Sequence, residues 1–215
     1  MIITRQKDLQ EILEKIGSGP VFLVGCNECA TLCGTGGKDE IAALSTLLAS
    51  KKIPVSGSIV LEPACHLLNS KQLLKPYAAQ VDSAQIILVM ACGNGVQTVA
   101  ELYPEKHVVG GTDALFIGEV VRAGVFEKRC TLCGDCLIDK YGGLCPVARC
   151  PKSMLNGPCG GAANGKCEIN AEMPCVWDQI YTLLKKRNQL YLLKVVQPPK
   201  DWSKSREVKV SRDHQ

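Results

Sequence analysis

Gln85-Ile86-Ile87-Leu88-Val89-Met90-Ala91 holds a continuous apolar run, Ile86–Ala91, that leads straight into Cys92. A run without polar alternation predicts a strand buried on both faces, as in a parallel sheet covered by helices. Val21-Phe22-Leu23-Val24-Gly25 reads the same way and leads into Cys26. Ser58–Leu61 and His107–Val109 are shorter strand candidates. Between them lie helix candidates: Asp8–Ile16, Asp39–Ser50 with Ile41, Leu44, Leu47 and Leu48 on one side, Gln72–Gln80, and Val96–Tyr103 closed by Pro104. Ala114–Gly124 is read as a further helix. Strand–helix–strand at this spacing predicts parallel pairing through right-handed crossovers, a Rossmann-like open α/β sheet. Sites in such sheets lie beyond the carboxyl ends of the strands. Cys26, Cys65 and Cys92 each follow a predicted strand, so three strand ends deliver a cysteine to one edge.

The 215 residues suffice for one ordinary domain, or for a medium and a small one. With 46% hydrophobic and 21% charged residues, the composition excludes a disordered or collagen-like chain. The longest apolar runs are too short to span a bilayer, and the N-terminus lacks the pattern of a secretory signal, so the expectation is a cytoplasmic protein without a membrane partner. Thirteen cysteines are then the outlier. Disulfides do not persist in a reducing compartment, and the odd count argues against a closed disulfide framework, which leaves metal ligation or redox chemistry.

Composition changes near Phe126. Eight cysteines fall between Cys130 and Cys175, among many Gly and Pro and with almost no periodicity. Such a segment buries too little apolar surface to fold unaided and calls for a metal staple. Cys130-Thr-Leu-Cys133-Gly-Asp-Cys136 wraps a short backbone stretch in the manner of an iron–sulfur cube ligand run. Zinc more often takes separated pairs. Cys145, Cys150, Cys159, Cys167 and Cys175 complete two sets of four, whose pairing is either sequential or interleaved. Two [4Fe–4S] clusters are expected here, with one cluster plus zinc, or two zincs, as alternatives. Cys26, Cys29, Cys33, Cys65 and Cys92 form a second constellation, any four of which could hold a further cluster, a zinc ion or a redox pair. Cys65 is the one expected merely to pack.

Val176–Lys194 reads as an amphipathic helix with Trp177, Ile180, Tyr181, Leu184 and Tyr191 on one face, and the last fifteen residues as extended or disordered. Residues 183–215 carry nine Lys/Arg against three Asp/Glu, within a whole-chain net charge of +4. This basic end suits a solvated tail or partner docking; nucleic acid is disfavoured, since no reader motif accompanies it. The expected domains are 1–125, 126–178 and 179–215.

Several patterns are set aside. Gly34-Thr-Gly36-Gly37-Lys38-Asp39 lacks phosphate-loop spacing and its Mg²⁺-binding hydroxyl. Gly93-Asn-Gly95 is followed by Thr98 where a dinucleotide loop needs a small residue. His66, His107 and His214 have no ligand-pair spacing, and no nucleophile–base pair is visible, so no catalytic residue is assigned.

The run Cys145-Pro-x-x-x-Cys150-Pro-Lys-Ser-Met-Leu-Asn156-Gly-Pro-Cys159-Gly-Gly, then Gly165-Lys-Cys167-Glu and Cys175-Val-Trp177, closely resembles the methylenetetrahydrofolate reductase C-terminal, cysteine-rich family. In length and order the chain, up to about Leu193, is similar to the small subunit of the two-subunit bacterial enzyme of acetogens. The resemblance implies a heteromeric oxidoreductase complex of one-carbon metabolism. Its FMN-containing TIM-barrel large subunit reduces methylene-tetrahydrofolate to methyl-tetrahydrofolate. The small subunit would relay electrons to that flavin through iron–sulfur clusters held by the cysteines above, or would be a zinc-binding structural subunit. A ferredoxin, a pyridine-nucleotide module or a further redox subunit would be the upstream donor. An independent redox enzyme built on Cys26 and Cys29 is the remaining alternative.

Overall fold

A computed structural model describes residues 1–206 and 209–211. Contacts divide the chain into two units: Met1–Phe116 with Val120–Phe126, and Ile117–Glu119 with the residues from Glu127 onward.

The first unit is built on four parallel strands, β2 (Val21–Cys26), β3 (Val55–Leu61), β4 (Ile86–Met90) and β5 (His107–Gly110), in the order β3-β2-β4-β5. The apolar runs are strands because both faces are covered. Val21, Leu23, Ile86 and Leu88 pack against Ile12 and Ile16 of α1 (Leu9–Ile16) and Ile41, Leu44 and Leu48 of α3 (Lys38–Ser50). Phe22, Val24, Ile87 and Val89 face the other way, onto Leu74 of α4 (Leu67–Leu74), Val81 of α5 (Ala78–Ser83) and Val99 of α6 (Gly93–Leu102). Each fully buried side chain of this kind contributes about 1.5–3 kcal/mol. Local signals agree: the Asp8 carboxylate accepts from the Gln10 N–H at 2.8 Å and caps α1.

The chain leaves β2 in one direction to form β3, then returns past β2 to form β4. This puts a topological switch point beside β2, where the loops after the strands part and open a crevice.

Two helix expectations are corrected here, and one strand is added. Ala114–Gly124 is not a helix: Thr112–Arg122 is a strand, β6, paired between β1 (Ile2–Gln6) and β7 (Val125–Cys130). Leu115, Phe116, Ile117, Val120 and Val121 favour a pleated surface, and Gly124 at φ +73° reverses the chain into β7. The strand β1 escaped the reading because it is short and at the terminus. Gln72–Gln80 is broken into α4, a 3₁₀ turn at Lys75–Tyr77 and α5, since Pro76 cannot continue α4.

The second unit holds the one-turn helix α7 (Pro146–Arg149), the short hairpin β8 (Lys166–Cys167) and β9 (Asn170–Pro174), and α8 (Val176–Lys186), which supplies most of a small core. Tyr141, Val176, Trp177, Ile180 and Leu184 form it. The Tyr141 and Trp177 rings meet edge-to-face at 5.6 Å. Their polar ends are satisfied, with Tyr141 Oη donating to the Leu155 carbonyl at 3.0 Å and Trp177 Nε1 to the Met154 carbonyl at 2.9 Å. The helix expected to reach Lys194 stops at Lys186; Asn188 takes φ 56° and a 3₁₀ segment, Leu190–Lys194, follows. Of its predicted apolar face, Trp177, Ile180 and Leu184 are buried, whereas Tyr181 and Tyr191 are exposed. Trp202–Arg206 forms a 3₁₀ turn within the stretch expected to be extended, residues 209–211 carry no regular element, and residues 207–208 and 212–215, including His214, lie outside the described residues.

Candidate metal centres

All thirteen cysteines are free thiols. Among the described residues, no three His, Cys, Asp or Glu side chains already stand together as a metal shell. Eight of the thiols line two cavities, four each, and Cys26, Cys29, Cys65 and Cys92 stand at or beyond the ends of β2, β3 and β4.

The first set sits at the switch point. Cys26 ends β2, Cys29 opens the single-turn helix α2 (Cys29–Leu32), Cys65 follows β3, and Cys92 caps α6 after β4. The loops are tied together. The Asn27 N–H donates to the Leu61 carbonyl at 2.8 Å, and the Cys26 N–H donates to the Gly36 carbonyl at 2.8 Å. Gly95 has no side chain because none would fit: a Cβ there would lie 3.0 Å from those of Ala64 and Ala91, so α6 and the Cys65 loop approach closely. Burial pushes the Cys65 thiol above its usual value of 9.0, and the Cys92, Cys26 and Cys29 sulfurs push it further in that direction. Cys65 thus shares a field with three other thiols. Cys33 stands apart: its sulfur accepts from the Thr4 N–H of β1 at 3.4 Å and lies 3.9 Å from the Ile2 carbonyl. Cys33 is thus held against β1.

The set-aside motifs have structural roles. The Gly34–Asp39 loop holds Cys26 through Gly36, and the Gly37 N–H bonds Glu40 Oε2 at 2.8 Å at the start of α3. His66 caps α4, its Nδ1 accepting from the Asn69 N–H at 3.2 Å.

The second set is Cys130, Cys133, Cys136 and Cys145, which line one cavity of about 370 Å³. The Leu132 N–H donates to Cys130 Sγ at 3.3 Å, the N–H···S bond a CxxC turn supplies. Gly134, at φ +75°, makes the turn possible. Burial, then the Cys145 sulfur, raises the neighbouring Tyr141 hydroxyl above its usual value of 10.0. Among the described residues, three buried side-chain polar atoms have no hydrogen-bond partner: Arg129 Nε, Thr131 Oγ1 and Lys200 Nζ. All three residues line this one cavity.

Lys200 arrives on the tail. Gln197 is only 4% exposed and is held at both ends of its peptide unit: its N–H donates to Asn156 Oδ1 at 2.7 Å, and its carbonyl accepts from Asn156 Nδ2 at 2.9 Å. Lys140 Nζ donates to its side-chain oxygen at 2.7 Å. Beyond it, Lys200 and Lys204 each come within 3.6 Å of Asp135, and the Lys204 backbone packs on Gly134. Residues 197–204 therefore form a strap over the CxxCxxC turn, not a free solvated tail.

The third set is Cys150, Cys159, Cys167 and Cys175, lining a separate cavity of about 20 Å³, the room of roughly one water-sized sphere. The Cys159 thiol donates to Glu168 Oε1 at 3.4 Å, and Glu168 is ion-paired with Lys152. The eight C-terminal cysteines thus divide in sequence order. Sequence reasoning left that division open and missed Arg129, Thr131 and Lys200. The first two stand beside the motif, but nothing in the sequence links Lys200 to a loop some seventy residues away.

Residues 109–203 match the family model for the methylene-tetrahydrofolate reductase C terminal. The matched stretch carries both C-terminal cysteine sets and the strap with Gln197 and Lys200, and it resembles the C-terminal region named by that family. The switch-point set lies outside it. No curated protein and no solved structure matches the chain. No helix among the described residues is long and apolar enough to cross a membrane.

Proposed function

We propose that the chain is the electron-carrying subunit of a methylenetetrahydrofolate reductase complex, passing electrons to the flavin of an FMN-containing large subunit where folate is reduced. The observation that carries this reading is the division of the thiols by cavity. Cys130, Cys133, Cys136 and Cys145 share a space large enough for a [4Fe–4S] cube, and three unsatisfied donors beside them suit an anionic occupant. Cys26, Cys29, Cys65 and Cys92 suit a second cube at the switch point.

Cys150, Cys159, Cys167 and Cys175 suit a different metal. Their spacing lacks the tight CxxCxxC run, and their cavity has room for one ion, which fits a closed tetrahedral S₄ zinc site. Such a site would staple the hairpin β8–β9 and the start of α8 to the loop that precedes the hairpin, in a unit whose apolar core is small.

A bound cube supplies a site that gains or loses one electron with little rearrangement. The chain's own residues do the rest. The CxxCxxC backbone holds three thiolates on one short turn, the Leu132 N–H stabilises negative charge on Cys130, and the strap brings Lys200 to the cavity. The test is a single-turnover experiment. Anaerobically prepared chain, pre-reduced and mixed with the oxidised FMN subunit, is expected to bleach the flavin absorbance, and a Cys136→Ser chain to transfer far fewer electrons. A zinc-only chain that restores full folate reduction to the FMN subunit would overturn the reading in favour of a structural subunit.

A further inference from the structure

We infer that Lys200, delivered by the strap, is the charge partner of the anionic group held by Cys130, Cys133, Cys136 and Cys145, and that it sets that group's reduction potential. The inference rests on the reading that a [4Fe–4S] cube occupies this cavity.

The Lys200 side chain is only 5% exposed, and its ammonium makes no hydrogen bond among the described residues. A buried ammonium without hydrogen bonds costs several kcal/mol unless an anion offsets it. Among the described residues its one ion-pair partner, Asp135, sits at 3.6 Å, is 40% exposed and is shared with Lys204 at the same distance. Asp135 is therefore too distant and too divided to satisfy it. Two more donors, Arg129 Nε and Thr131 Oγ1, are orphaned along the same cavity, although the Arg129 fork has Glu119 and Glu127 for its Nη2. Three donors left over at one place, opposite four thiols, describe a wall that faces negative charge.

The chemistry follows from charge. A cube taking one electron from an external one-electron donor becomes more negative by one unit, while no bond forms or breaks in Lys200, Arg129 or Thr131. A fixed positive charge beside the cube stabilises the reduced form more than the oxidised form, which raises the potential. Lys200 is thus a positioning residue for electron flow. The strap that carries it makes the potential depend on Asn156, Gln197 and Asp135, none of which ligates metal.

The experiment is a redox titration of full-length, anaerobically prepared chain followed by electron paramagnetic resonance, in a Cys29→Ser, Cys65→Ser background that silences the switch-point set. Iron and sulfide are counted in every sample. Lys200→Met is expected to make reduction about tenfold less favourable, a fall of about 59 mV for one electron. Lys200→Arg is expected to stay near the parent, and Thr131→Val to fall by less than Lys200→Met. If Lys200→Met assembles no cube, Lys200→Gln carries the measurement. Cube loss in both neutral variants with retention in Lys200→Arg would equally support a required positive charge. A fully loaded Lys200→Met chain with the parent potential would overturn the inference alone. An iron-free parent would overturn the occupancy on which it rests, and the inference with it.

Discussion

Replacing Asn156 by alanine removes both hydrogen bonds that clamp the strap, the 2.7 Å bond to the Gln197 N–H and the 2.9 Å bond from its own amide to the Gln197 carbonyl. Each such bond contributes about 1 kcal/mol net, and a buried peptide group left unpaired costs about 1–3 kcal/mol. Gln197 is buried, so the second figure applies in part. The bond from Lys140 to its side chain remains. Opening of the strap should therefore become easier by about 2–4 kcal/mol, a factor of roughly 30 to 1,000 in the opening equilibrium. Hydrogen exchange of peptides covering 195–206, read by mass spectrometry on the metal-loaded chain, measures this directly. Exchange there should accelerate by that factor while peptides over β2 and β4 stay unchanged. Asn156→Asp keeps an acceptor for the Gln197 N–H and should show about half the effect. If exchange at 195–206 is the same in Asn156→Ala as in the parent, the clamp does not hold the strap, and the delivery of Lys200 by it is wrong.

Other outcomes follow from the same geometry. Gly134→Ala places a Cβ 2.6 Å from the Lys204 backbone and at φ +75°, so it should strain the turn by about 1–2 kcal/mol, lower the melting temperature by about 2–8 °C and speed proteolysis after Lys204. In the first unit, hydrogen bonds from Lys15 and then Lys7 hold the Glu11 carboxyl below its usual 4.5. Its stabilising contribution is therefore present above that value and lost as pH falls through the lowered one; Glu11→Gln should flatten the acid limb of a stability–pH curve without moving the neutral region, and an unchanged acid limb would contradict this.

Much of the first unit was legible because burial on both faces writes itself as unbroken apolar runs. Val21–Gly25 and Ile86–Met90 could hardly be anything but central strands, and the cysteines at their ends followed. The strand Thr112–Arg122 was misread because its apolar residues fit helical spacing as well as a pleat, and its hairpin partner gave no separate signal. In the second unit the cysteines announced metal chemistry, yet spacing alone could not divide eight ligands. That division depends on where Gly- and Pro-rich loops turn, which no periodicity encodes. The strap was the least legible part. Its basic residues look like any solvated end, and contacts distant in sequence fasten it, the Asn156 amide reaching across forty-one positions to Gln197 first among them.

The claim on which the account stands is that eight thiols serve two metals in sequence order. Metal and sulfide analysis of anaerobically prepared Cys136→Ser and Cys167→Ser chains, beside the parent, tests it most directly. Cys136→Ser should lose one cube's worth of iron and sulfide and keep its zinc, while Cys167→Ser should lose zinc and keep its iron. Loss of the same metal from both chains would contradict the account.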